Sequence, residues 1–208
     1  MKASYGRSAL STRLIFAVVG VLLAIASGWV ENRVSDPPEI ALKIDEPWED
    51  MRKRSSAEIG RFFPNSHWFQ VPKSNARLRF IDPQYGFTTP VAKFFTVGFS
   101  HDRTRNVRMS PQTEPLLLDD ALKVLLDLQC QLISRGWVNI FPDDNPLFAD
   151  TPAWRTQLRN VYKGGVTYWQ AGDKYQIVLQ MHRFKWSRKP TEERYLITLG
   201  LAAPWISH

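Results

Sequence analysis

Residues 14–30 read LIFAVVGVLLAIASGWV, seventeen uncharged and mostly apolar positions in a row. As a helix rising 1.5 Å per residue this is about 25 Å long, the short limit for crossing a bilayer. Lys2, Arg7 and Arg13 precede it, whereas Glu31, Asp36 and Glu39 follow. The positive-inside rule therefore keeps residues 1–13 in the cytoplasm and exports everything after Val30, with Trp29 at the outer interface. Ala24-Ile25-Ala26 offers a second reading, a small-residue cleavage site that would release a soluble periplasmic protein from Ser27 onward. Both readings export the rest of the chain. The first places it in a bacterial inner membrane as a single-pass protein with a periplasmic C-terminal domain. No cysteine closes the apolar run, which excludes a lipoprotein signal, and no twin-arginine pair precedes it.

Residues 31–208 are enough for one domain with a real core. The chain is 44% apolar and 12% aromatic, a balance that suits a folded protein. Cys130 is the single cysteine, so no intramolecular disulfide can form and stability must come from packing. The formal net charge of +7 is uneven: −5 over 31–50, +8 over 51–110, −5 over 111–150 and +6 over 151–208. Such alternation suits complementary surfaces or a polarised face for a protein partner. No recognition motif accompanies the basic stretches, and no nucleic-acid partner is expected.

Residues 31–47 contain three prolines and many acids and read as a linker, leaving 48–208 as the domain. Trp48, Met51, Ile59 and Phe62 fit a short amphipathic helix ended by Pro64. Strands are expected at 77–81 and 91–100, with a turn over 102–106 leading to another strand at 107–109. The strongest helix runs from about Leu116 to Arg135. Its apolar stripe is Leu117, Ala121, Val124, Leu125, Leu128 and Leu132. Gly136 suits a left-handed C′ position that brings Trp137 onto Leu132 in a Schellman cap. A strand at 137–141, a loop rich in acid and proline, and a short helix from Pro152 capped by Asp150 or Thr151 come next. A hairpin pairs 166–170 with 174–184, and a last strand at 195–201 sets Tyr195, Ile197, Leu199 and Leu201 on one face. The fold class is α+β, with an antiparallel sheet packed by one long helix and a short one.

Sets of residues that could carry chemistry are sparse. His67, His101, His182 and His208 lie far apart in sequence, with no paired Cys/His spacing and no acidic metal loop, so neither a metal site nor a cofactor is expected. His101 beside Asp102 reads as an exposed loop histidine. Cys130 lies about 160° from the core stripe, near Leu126 and Ile133. This back-face trio is either covered by a second layer or is an exposed apolar patch that binds something. No G-x-S-x-G elbow occurs. Asp143, Asp144 and Asp150 read as turn formers and caps, or as an electrostatic contact surface for a basic partner. Trp154, Tyr162, Tyr168, Trp169 and Trp186 divide between core and interface, and are the side-chain types that dominate binding hot spots. The candidate partner-binding residues are therefore Asp143, Asp144, Asp150, Trp154, Trp169 and Trp186.

The layout resembles the small envelope immunity proteins encoded beside type VI secretion effectors in Gram-negative bacteria. The Leu14–Val30 run, the helix ending in Arg135-Gly136-Trp137 and the Trp169–Phe184 hairpin carry the resemblance, over about a third of the chain. None of the three is a diagnostic motif, and no functional residue is carried over. The resemblance implies a protein that binds and blocks a toxin acting in the periplasm, such as a phospholipase or a peptidoglycan hydrolase. The expectation is a non-enzymatic, membrane-tethered periplasmic binding protein; the alternative is a structural or assembly subunit of an envelope machine.

Overall fold

The computed structural model describes residues 36–63, 66–185 and 191–206. The expected anchor at 14–30 and the candidate Trp186 lie outside the described residues. Among the described residues no helix is long and apolar enough to cross a membrane. One compact unit begins at Pro37. It is α+β, and its sheets are mostly antiparallel.

The strands are β1 (Glu39–Leu42), β2 (His67–Gln70), β3 (Arg77–Phe80), β4 (Phe87–Thr88), β5 (Phe95–Ser100), β6 (Arg103–Met109), β7 (Val138–Ile140), β8 (Gly165–Ala171), β9 (Tyr175–Phe184) and β10 (Arg194–Ala202). The helices are α1 (Trp48–Arg54), α2 (Leu118–Ser134) and α3 (Pro152–Arg159). Seven strands form an antiparallel sheet in the order β2-β5-β6-β10-β9-β8-β7, and β1-β3-β4 form a small one. Alternation fills the inner face of the large sheet: Phe95, Val97, Val107, Ile177, Leu179, Ile197 and Leu199 are buried there. Leu118, Leu122, Leu125, Leu128 and Leu132 of α2 join them in one core with Ile40, Leu78 and Phe80 of the small sheet. Each such side chain contributes about 1.5–3 kcal/mol when fully buried.

β1 corrects the linker reading. Residues 39–42 pair in parallel with β3, Ile40 opposite Leu78 and Leu42 opposite Phe80. Ile40, Ala41 and Leu42 are fully buried. The Ser55 and Ser56 hydroxyls accept from the Ala41 and Glu39 N–H groups, each at 3.0 Å. Those contacts also explain why α1 stops at Arg54 instead of continuing to Phe62: after Arg54 the chain leaves the helix to close over β1. The 102–106 turn is displaced too. His101 takes a positive φ of 57°, so the chain reverses at 101–102 and β6 starts at Arg103. Arg103 and Arg105 both reach Asp45 Oδ1, at 3.0 and 2.9 Å.

The α2 terminus follows the sequence. Gly136 has φ 82°, the Trp137 N–H donates to Leu132 O at 3.0 Å and the Gly136 N–H to Ile133 O at 3.0 Å, the two bonds of a Schellman motif. The stripe is rotated from the expected one: Leu118 and Leu122 are buried and Leu117 is 52% exposed. Among the described residues no second layer covers the back face: Cys130 is exposed and Ile133 half-exposed, while Leu126 packs partly against the core.

Three buried glutamines fasten irregular segments to this framework. Gln112 binds Glu114 O, Tyr195 O and the Ile197 N–H. Gln129 binds both backbone groups of Phe148 at 3.0 Å. Gln176 accepts from the Trp205 and Ile206 N–H groups and donates to Ile206 O. A primary amide carries a donor and an acceptor on one planar group, so each serves as a substitute peptide bond.

Candidate functional site

The loop between β7 and α3 is shaped by backbone bonding. Phe141 takes φ 64° and its carbonyl accepts from Asn145 N–H at 2.8 Å, while Asn139 Nδ2 donates to Asn145 O at 3.1 Å. Gln129 pins Phe148, whose ring meets Trp154 with centroids 4.9 Å apart. The Thr151 hydroxyl caps α3 by accepting from Trp154 N–H at 3.3 Å, with Pro152 at the first helical position.

Beyond α3, Gln157 Nε2 donates to Gly164 O at 2.8 Å and Arg183 Nη1 to Arg159 O at 2.8 Å, drawing the chain down onto β9. Gly164 (φ 76°) lies flat on the His182 ring, where a Cβ would overlap Nδ1. Gly165 is equally confined, with Trp154 2.8 Å from the place a Cβ would occupy. Two glycines are needed because both ring systems approach the backbone directly.

An open cleft of about 500 Å³ results, lined among others by Asp143, Asp144, Trp154, Gln157, Lys163 and His182, with Gly164 and Gly165. Close in sequence to its lining residues, Leu147, Val161, Tyr162 and Phe184 are 38, 36, 90 and 37% exposed. Asp143 and Asp144 can accept from a guanidinium or ammonium group, and the half-buried Trp154 ring can take a cation or an aromatic edge. The arrangement suits docking of a polar, partly cationic surface.

Of the six candidate residues, the structure brings Asp143, Asp144 and Trp154 together here. Asp150 sits elsewhere: its carboxylate is held by Arg155, Nη2 to Oδ2 at 3.0 Å, and the same guanidinium reaches Asp119 of α2 at 2.7 Å. Those bonds hold the Asp150 carboxyl below its ordinary value and push the Arg155 guanidinium further up. Arg155 thus ties α3 to α2, and it holds both carboxylate oxygens of Asp150. Trp169 corrects the expectation most plainly, being 1% exposed, with Nε1 donating to Thr167 Oγ1 at 2.9 Å inside the core. Its inward position follows from its register opposite Ile177.

His182 and Lys163 were not singled out as cleft residues, since nothing in their spacing links them to Asp143. His67 and His101 were also missed as a pair. β2 pairs with β5 and sets Ser100 Oγ 3.3 Å from His67 Nε2 and 3.2 Å from His101 Nδ1. Among the described residues no three His, Cys, Asp or Glu side chains converge as a metal site. Compared with protein-family models, with curated proteins and with solved structures, the chain matches none.

Proposed function

We propose that this chain is a non-enzymatic binding protein of the bacterial envelope, tethered by residues 14–30, whose periplasmic domain docks and inhibits a secreted antibacterial toxin through the Asp143–Asp144–Trp154 cleft. The observation that carries this reading is the convergence, in an open cleft, of Asp143 and Asp144, which have no ion-pair partner among the described residues, with Trp154 of α3. A Trp seated in a pocket beside charged groups is the kind of residue that anchors binding hot spots. Acids at the rim speed encounter with a basic partner. The resemblance to envelope immunity proteins supplies the class of partner, and a tether keeps an inhibitor concentrated where a lipid-directed toxin works.

Co-purification tests it. Tagged full-length chain is expected to retain the toxin encoded beside its gene, and Asp143→Lys with Asp144→Lys is expected to lose it while folding normally. Retention by the charge-reversed chain would remove the cleft from the reading, and no retention by the unaltered chain would remove the toxin.

A further inference from the structure

Four exposed apolar side chains lie on or beside one strand. Phe62, Phe63, Phe69 and Val71 are 36, 51, 70 and 47% exposed, and all lie on or beside β2, an edge strand of the large sheet. Phe62 and Phe63 meet Trp68 edge-on, each with centroids 5.8 Å apart. Phe69 projects to the other face, as strand neighbours do, and is opposite Gly98, which has no side chain to cover it. The ledge is firmly backed: Trp68 stacks on Phe99 at 4.1 Å, and Trp48 packs on Phe62 at 5.9 Å. Phe63 and Phe69, exposed beside an edge strand, with the partly packed Phe62 next to them, mark a contact surface.

The chain outside the structure indicates what covers it. Glu39 follows Val30 by nine residues, which span at most about 30 Å. Glu39 is fastened to the segment that carries the ledge, since its N–H donates to Ser56 Oγ and its carbonyl accepts from Ala57 N–H, both at 3.0 Å. Phe62 is five residues beyond Ala57, at most about 18 Å of extended chain. The chain therefore enters the domain beside the ledge. A tether this short gives an effective concentration in the millimolar range, so even a weak surface affinity is satisfied. Tryptophan is enriched at membrane interfaces, and exposed Phe inserts shallowly there. Arg61, without a carboxylate partner among the described residues, and Lys73, paired with Glu58, flank the ledge with long cationic side chains suited to phosphate headgroups.

We propose that the Phe62–Phe63–Phe69 ledge seats the domain on the phospholipid surface of the membrane that holds residues 14–30, an inference that rests on the tethered reading above. β2 and β7 are opposite edges of the seven-stranded sheet. A domain seated on β2 therefore presents the cleft, which lies at the β7–β8–β9 end, away from the bilayer and toward a partner in the periplasm.

The single native cysteine makes the test direct. The full chain is reconstituted into phosphatidylethanolamine/phosphatidylglycerol vesicles carrying nitroxide-labelled lipid, with an environment-sensitive fluorophore on Cys130, or on Phe69→Cys or Phe63→Cys in a Cys130→Ser background. Expected are co-flotation with the vesicles, blue-shifted emission and nitroxide quenching at 69 and 63, and neither change at 130. Co-flotation with labels at 69 and 63 as wet as at 130 would overturn the ledge and leave the tether standing. A blue shift without lipid quenching would mean that protein covers the ledge and would also overturn it. Failure to co-float would overturn the tether, and the ledge with it.

Discussion

Gln129 holds the cleft loop to the core, and replacing it with leucine separates polar clamping from packing. The side chain is 7% exposed, and its amide satisfies both the Phe148 N–H and the Phe148 carbonyl at 3.0 Å. Leucine has a similar volume and offers neither bond, so two buried backbone groups lose their partners at about 1–3 kcal/mol each. Partial relaxation toward water and the added apolar burial offset some of this, leaving an expected loss of about 2–4 kcal/mol. Urea unfolding followed by tryptophan fluorescence reads it out: at a slope of about 2 kcal/mol/M, the midpoint should fall by about 1–2 M with the slope unchanged. Gln131→Leu, on the same helix, removes only one half-buried acceptor, for Thr88 N–H at 3.1 Å, and is expected to cost about 0.5–1.5 kcal/mol. A midpoint for Gln129→Leu within about 0.25 M of the unaltered chain would refute the clamp.

Three further outcomes follow from the geometry. Gly136→Ala places a Cβ on a left-handed cap with open space around it, nearest atom 3.6 Å away, and should cost about 1–2 kcal/mol in the same assay. Gly164→Ala adds overlap with His182 and a Met181 carbonyl oxygen 2.8 Å away to a φ of 76°, so its loss should exceed that of Gly136→Ala; an equal or smaller loss would mean the His182 contact is not tight. Burial alone would raise the Glu39 carboxyl, but hydrogen bonds and charge from Arg79 and Arg77, at 2.6 and 2.9 Å, outweigh it and hold the group below its ordinary 4.5. The folded state then binds that proton more weakly than the unfolded one, so stability from Glu39 is present above about pH 4.5 and drains away as pH falls further. Glu39→Gln should flatten that acid limb, and an identical limb in the variant would place the sensitivity elsewhere.

Where local rules dominate, the sequence was readable. The Gly136 cap, the Thr151–Pro152 start of α3, the β8–β9 hairpin and the alternation of β10 each depend on residues within a few positions of one another, and each forms as expected. β1 was hidden because its four residues carry almost no periodicity, and they become a strand only through β3, some forty positions later. β2 was obscured for a related reason, since Trp68 faces the core while Phe69 is left in water. In the site, Asp143, Asp144 and Trp154 were legible as residue types but not as neighbours. Their convergence depends on Gln129, an apparently polar helix position whose amide turns inward to hold Phe148. Trp169 was misassigned because aromatic enrichment alone does not distinguish a core face from a contact face, and the register with β9 does.

The proposed protection of the cell by toxin binding at the Asp143–Asp144–Trp154 cleft is tested by competition between cells. Cells lacking the chain are grown beside toxin-producing kin and complemented with either the unaltered chain or Asp143→Lys/Asp144→Lys at equal levels. Killing of the deletion strain, rescue by the unaltered chain and loss of rescue with the double substitution are expected. Full survival of the deletion strain would contradict the proposal.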